Sequence, residues 1–297
     1  MTSSRPQLTV VVSTKDRPDT LSRTLEALLA DSRSADEVIV VDSASAGEAT
    51  RAVAERFGVG YLRADLPGTS RARNLGWRAA RNEVVAFLDD DVLAADGWAR
   101  AMGAAFDDAG VAFVSGRINP PEGYDTRSAL SVFADDDPRT IDRDTRGILG
   151  MSGNTAVRRS ALLAIGGFDP RLGPATWFGT GEDNDFFDRL VRAGYRGRYE
   201  PAAAVVHLQG HTGRSPLAAQ WNYGKGMGAR LAKAVWRDGW RARTIVPEVT
   251  RLGGVRTAVT DVRSGERRKW GPPIAWRLGA LAGFFVGLIR LHGEHES

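Results

Sequence analysis

Three adjacent carboxylates, Asp89, Asp90 and Asp91, close the apolar run Val84–Leu88. Like charges this close repel one another unless a cation lies among them. Mg²⁺ and Mn²⁺ prefer oxygen donors and are commonly held by one or two carboxylates together with substrate phosphates. The alternative is a solvated turn leading into a helix, since Asp caps helices well. A second triplet, Asp135–Asp137, follows no buried strand and reads as solvated surface. A third acidic set, Glu182, Asp183 and Asp185, opens "GEDNDFFDRLVRAGYR", where Phe186, Phe187, Leu190 and Val191 form a helical apolar stripe. Clustered carboxylates can lift one pKa toward that of a useful base, or simply suit a helix N-terminus. His207 ends another apolar run, with His211 four residues on. Imidazole is a competent Mn²⁺ ligand, though less characteristic of it than oxygen; a hydrogen-bonded core or surface histidine is the alternative.

These groups need elements to hold them. "LTVVVST" (8–14), "DEVIVVDSAS" (36–45), "VGYLRAD" (59–65) and "EVVAFLDDD" (83–91) read as strands. Between them lie helical patterns over 18–31, 47–58 and 68–81, the first with Leu21, Leu25, Leu28 and Leu29 on one face. Apolar strands alternating with helices predict an α/β fold with a mostly parallel sheet covered on both faces. Ligands of such sheets meet the carboxyl ends of the strands. Asp16, Asp42, Asp65 and Asp89–Asp91 all fall there. Asp42 can accept from the N–H of a base or from ribose hydroxyls, or merely cap the next helix. Arg71, Arg73 and Asn74 begin the third helix, whose N-terminus attracts anions; a surface salt bridge is the other role for Arg73. Further on, 110–120 and 202–213 read as strands and 147–173 as a small strand, a helix and a Gly-rich turn.

Composition excludes several classes. The 297 residues include no cysteine, so there is no thiolate metal site, disulfide framework or thiol nucleophile. No Gly-x-Gly-x-x-Gly follows the first strand, which argues against a dinucleotide-binding dehydrogenase. Residues 1–17 lack the apolar core of a secretory signal, so a cytoplasmic protein is expected. Charge is split: residues 225–297 hold 14 Lys+Arg against 6 Asp+Glu, a net +8, and residues 1–224 hold 26 against 30, a net −4. A basic tail suits an anionic membrane or nucleic acid, and no nucleic-acid signature accompanies this one. Within the last segment, 272–291, the longest uncharged run is Leu278–Ile289, 12 residues. That is short of the roughly 20 needed to span a bilayer. An interfacial or partner-facing helix and a buried core helix are both expected readings. A homodimer through this tail is a further one.

Taken in order, "VVVSTKDR", "VIVVDSAS", "GTSRARNLG", "VAFLDDDV", "GMSGNTAVRRSALLAIGGFDPRL", "GEDNDF" and "VVHLQGH" resemble the bacterial family 2 glycosyltransferases over about residues 8–213. The resemblance implies a GT-A fold, Rossmann-like, here with a helical C-terminal extension. It implies a divalent cofactor, Mn²⁺ or Mg²⁺, and inverting transfer of a sugar from a nucleoside-diphosphate donor to a hydroxyl acceptor. The family pattern makes Asp91 and His207 the metal ligands of a DXD-type motif. Asp89 and Asp90 would lie beside the donor, with Thr14, Asp16, Arg17, Asp42, Arg71 and Asn74 in the nucleotide pocket. Asp183 would be the catalytic base, supported by Glu182 and Asp185. "GNTAVRR" and "GGFDPRL" would form the acceptor-side wall and its supporting turn. Residues 1–215 are expected as the catalytic domain, with nucleotide binding to about 115 and acceptor binding beyond, and 216–297 as the extension. The Asp42 strand end suggests a UDP- or dTDP-sugar. The acceptor is expected to be a lipid-linked saccharide or a small molecule, the former placing the protein at the inner face of the plasma membrane. The competing expectations are a nucleotidyltransferase on a related sheet, disfavoured by the glycine-free "VVVSTKDRPDT", and a non-catalytic sugar-binding relative, disfavoured by intact Asp91 and Asp183.

Overall fold

A computed structural model describes residues 6–30, 35–122, 132–145, 147–208, 216–238 and 271–292. The chain forms two compact units. The first comprises residues 1–168 and 186–212, the second residues 169–185 and 213–297.

The first unit is built on one sheet. Its strands are β1 (Leu8–Thr14), β2 (Glu37–Asp42), β3 (Gly60–Arg63), β4 (Val84–Asp89), β5 (Val92–Ala94), β6 (Val111–Asn119), β7 (Arg139–Ile141), β8 (Asn154–Arg158) and β9 (Arg196–His207). They lie in the order β3-β2-β1-β4-β8-β6-β9-β5, with β7 paired to β9. Strands β1 to β4 are mutually parallel wherever they pair. Helices α1 (Pro18–Ala30), α2 (Ala49–Arg56) and α3 (Thr69–Ala79) connect them. α1 starts with Pro, whose fixed φ suits a first helical turn, and buries Leu21, Leu25 and Leu28. The core strands are apolar throughout because both faces are covered: Val10–Val12, Val40, Val41 and Val84–Leu88 are all essentially inaccessible.

The expected parallel sheet holds through β4 and then becomes mixed. β8 runs antiparallel to both β4 and β6, β9 parallel to β6, and β5 antiparallel to β9. Short connections such as Asp89 to Val92 cannot return a strand parallel to its predecessor, which requires a long crossover. Strand β9 begins at Arg196, six residues before its apolar run, because its first half alternates exposed arginines with buried Gly197 and Tyr199. α4 (Trp98–Ala104) and α5 (Arg159–Ile165) complete this part.

α6 (Glu182–Arg192) crosses the division: its first turn counts with the second unit and Phe186 onward with the first. Within the first unit Phe186 stacks on Phe168 at 4.0 Å between centroids, and Phe168 meets Phe87 edge-on at 5.1 Å. The second unit is dominated by α7 (Pro216–Asp238) and α8 (Gly271–Arg290). These two helices touch backbone to backbone. A Cβ at Gly224 would collide with the Trp276 carbonyl, one at Gly228 with that of Ala280, and one at Gly283 with that of Lys225. Four-residue glycine spacing on both helices permits this approach.

Candidate active site

Strand register assembles the first part of the site. Thr14 lies opposite Asp42, and Ser13 opposite Asp89, so the ends of β1, β2 and β4 share one edge. Asp90 and Asp91 follow immediately. β5 then pairs with β9 so that Val92 faces His207, and the Leu208 N–H donates to the Asp91 carbonyl at 2.7 Å. The sheet thereby brings His207 Nε2 to 3.5 Å from Asp91 Oδ1, although the two residues are far apart in sequence.

Arg17 provides a cation for two of the three carboxylates. Its Nη1 lies 3.1 Å from Asp90 Oδ1 and 3.1 Å from Asp91 Oδ2. The Thr14 hydroxyl donates to Asp90 Oδ2 at 2.5 Å. Burial pushes the Asp90 carboxyl up to about 6, against the pull of Thr14 and Arg17. Burial, aided by the Asp89 charge, also raises Asp91, while His207 and Arg17 pull it down. Asp89 turns elsewhere. Its Oδ1 accepts from Arg73 Nη2 at 2.7 Å, and Arg73 is buried, bonded through Nη1 to the Ser152 hydroxyl and set over the Phe168 ring. Gly153 allows that packing, because a Cβ there would overlap the Asp89 carboxylate.

The remaining expected nucleotide-pocket residues divide by what holds them. Asp16 has φ +53°, and its side chain accepts from the Ala46 N–H at 2.7 Å while the Ser45 hydroxyl accepts from its own N–H. It locks the β1–α1 loop to the β2–α2 loop, and the Ala46 bond chiefly lowers its pKa. A left-handed non-glycine residue is held only where its surroundings demand it. Asp42 is fully buried and accepts from Ser45 N–H, Tyr61 Oη and Arg63 Nη1 at 2.7, 2.9 and 3.0 Å. Arg71 donates to the Pro67 carbonyl at 3.3 Å. Asn74 is taken up by the fold: its amide bonds both backbone groups of Phe168 and accepts from Trp77 Nε1.

The second unit carries the other acidic set. Asp183 and Glu182 are half-buried on the first turn of α6. Asp185 is buried and pairs with Lys233 of α7 at 2.5 Å, and the same Lys233 Nζ reaches Asp169 Oδ2 at 2.8 Å. Arg171 also donates to both Asp169 oxygens. Burial favours protonation of Asp169, but Arg171 and Lys233 prevail and hold its carboxyl well below the usual range. Phe178 is buried against Leu172, Ala229 and Leu291, whereas Trp177 stays accessible with Lys225 Nζ over its ring at 4.8 Å. His211, the alternative metal ligand, lies outside the described residues. The Asp135–Asp137 triplet is exposed, as expected, and pairs with Arg139 and Arg117.

Sequence reasoning missed Arg63, Lys233 and the burial of Arg73. For Arg73 the signal was periodicity: it shares the inward face of α3 with Ser70, Asn74 and Trp77. For Lys233 there was only a lysine among small apolar residues on a long helix.

Residues 9–166 match the family model for glycosyl transferase family 2. The chain belongs to that family. The chain is 34% identical over 172 residues to the pre-mycofactocin glycosyltransferase of Mycobacterium tuberculosis, a match covering 56% of this chain and 35% of the relative. It is 46% identical over 63 residues to the N-acetylglucosaminyl-diphospho-decaprenol L-rhamnosyltransferase of the same organism, covering 21% of this chain and 19% of that one. The chain thus spans about a third of the length of the first relative and less of the second. Among solved structures, the mannosyltransferase PcManGT from Pyrobaculum calidifontis in complex with GDP-Man and Mn²⁺ superposes with a TM-score of 0.64 at 19% identity, over 95% of this chain and 88% of that one. S. aureus TarS 1–349 superposes with a TM-score of 0.62 at 18% identity, over 95% and 81%. At such identities the likeness establishes the shared GT-A fold.

Proposed function

We propose that this glycosyltransferase is a metal-dependent inverting enzyme that moves a sugar from a UDP- or dTDP-sugar to a hydroxyl acceptor. The observation that carries the reading is the buried Asp90–Asp91 pair, bridged by one guanidinium and faced by His207. Among the described residues no three His, Cys, Asp or Glu side chains form a closed cation site. Asp91 and His207 instead fit an open site that substrate phosphates complete, as one carboxylate and phosphate oxygens commonly do for Mg²⁺ or Mn²⁺, with an added imidazole. A bound divalent ion would supply charge neutralisation for the departing diphosphate. Asp91 and His207 would hold it, with Asp89 and Asp90 beside the donor.

Asp42 uses three of its carboxylate's roughly four acceptor positions. Because its side chain has no exposed surface, it would shape the pocket for uracil or thymine through Tyr61 and Arg63 rather than by touching the base. Thr14, Asp16, Arg17 and Arg71 shape the pocket around diphosphate and ribose. Asp183 takes the acceptor hydroxyl's proton as its oxygen bonds to the anomeric carbon. The bond from that carbon to the β-phosphate oxygen breaks, and the nucleoside diphosphate leaves with the electron pair. Glu182 and Asp185 support the base. Residues 1–215 form the catalytic domain in this reading, with nucleotide bound by 1–115 and acceptor by 116–215. The acceptor is a lipid-linked saccharide met at the inner face of the plasma membrane, a choice favoured by the cationic tail; a small-molecule acceptor is the alternative.

Calorimetric titration with UDP, dTDP, GDP and ADP, with and without Mn²⁺, tests the reading. Binding of UDP or dTDP that requires Mn²⁺ and is lost in Asp91→Ala is expected. Equal binding without metal, or in the variant, would refute the metal assignment.

A further inference from the structure

α8 has two unlike faces. One carries Trp276, Gly279, Gly283 and Gly287 against α7. The other carries Ile274, Leu278, Leu281, Phe285 and Ile289, each between 49% and 80% exposed. At 3.6 residues per turn these five fall on one stripe roughly 80° wide and about 22 Å long. Single exposed apolar residues are ordinary on a protein surface, but a continuous row of large ones is not.

We infer that this row lies in the surface of an anionic membrane, with α8 parallel to the bilayer plane. Charge selects the occupant. α8 has no acidic residue; exposed Arg277 flanks the first turn of the row, and exposed Arg290 directly follows its last residue. On α7 Arg237 is exposed as well, whereas Lys225 and Arg230 are buried and Lys233 is enclosed by Asp169 and Asp185. A second copy docked on this face would set arginine against arginine. An anionic lipid surface attracts every one of the exposed cations while taking up the apolar side chains. Spanning is excluded for the described helices, none of which is long and apolar enough to cross. The glycine contacts give the row its rigidity, since α7 braces α8 along the opposite side.

The inference deepens the lipid-linked-acceptor reading and rests on it only for where the acceptor is met; its test needs no donor, metal or turnover. Flotation of the full chain is compared on vesicles of phosphatidylcholine alone and of phosphatidylcholine with phosphatidylglycerol. Binding to the anionic vesicles is expected to be about ten-fold or more tighter and to weaken with salt. The double variant Leu281→Glu, Phe285→Glu should lose at least about ten-fold of that binding while keeping its circular dichroism and melting midpoint, because both side chains already face solvent. No flotation at low salt would overturn the inference. So would flotation unaffected by the double variant. A wild-type dimer that the double variant converts to monomer, without vesicle binding by either, would assign the face to a second copy instead.

Discussion

Two clusters in this molecule each join two buried aspartates through one shared basic side chain, and they have opposite characters. In the first unit Arg17 bridges Asp90 and Asp91 from a side chain that is half in solvent. In the second, Lys233 bridges Asp169 and Asp185 and is nearly enclosed with them. Burial wins at Asp90, whose carboxyl rises to about 6. At Asp169 it loses to Lys233 and Arg171, and the carboxyl falls far below its ordinary range. A cluster whose counter-ion is loosely held leaves excess negative charge that a stronger cation can exploit. A cluster whose counter-ion is enclosed has completed its electrostatics and serves the fold. Carboxylate count alone does not distinguish the two clusters; the number and the enclosure of their cations do.

The largest effect expected from breaking this contrast is at Lys233. Lys233→Met leaves two buried carboxylates short of their shared cation, and chemical denaturation should show a loss of about 3–5 kcal/mol. The sign of the pH dependence follows from Asp169. Its native pKa lies below its unfolded value, so its contribution is complete above the unfolded pKa of about 3.9 and is lost as pH falls from there through the lower native pKa. Wild type should lose stability below about pH 4, and Lys233→Met should lose less there because less remains to be lost. Equal acid sensitivity in both proteins would contradict the brace.

Next comes the comparison of neighbours on one helical turn. Asp183→Asn should retain donor binding and stability while kcat drops about 10²–10⁴-fold, the range for loss of a general base. Asp185→Asn should instead lower the melting midpoint first, since its partner is the enclosed lysine. Full turnover in Asp183→Asn would remove Asp183 as the base.

The smallest effect is at Arg17. Because it is half exposed, Arg17→Gln should alter stability by no more than about 1 kcal/mol in denaturant titrations. A loss as large as that of Lys233→Met would mean that both clusters are braces.

How much of this was legible in advance follows from where the information resides. The strands β1, β2 and β4 were plain as apolar runs, and their polar ends do share one edge of the sheet, where the candidate site is set. The stripe of α6, with Phe186, Phe187 and Leu190, was equally plain, and all three are buried. The short strands β5 and β7 were not visible, because three residues carry no periodicity. The start of β9 was hidden by exposed Arg196 and Arg198 between its buried residues. Strand direction beyond β4 was also hidden, since apolar content is silent on orientation. At the site, residue types announced the triplet and His207, but which carboxylate turns toward which cation depended on packing. Asp89 pointing to Arg73 rather than Arg17 is such a case. Asn74, expected at the nucleotide, is instead bound up with Phe168 and Trp77.

The pairing of Val92 with His207 sets one more condition on this chain. The imidazole meets Asp91 through a count of backbone rungs and not through a side-chain fit. Substitutions around the pair can therefore accumulate with little effect on its spacing. A single residue inserted between Asp91 and Ala94 would shift the β5 side of the register by one and carry Asp91 away from His207, whose own facing is set by the pairing of β9 with β6. Length in this three-residue strand is therefore under tighter constraint than identity, and a deletion there would silence the pair even with Asp91 and His207 unchanged.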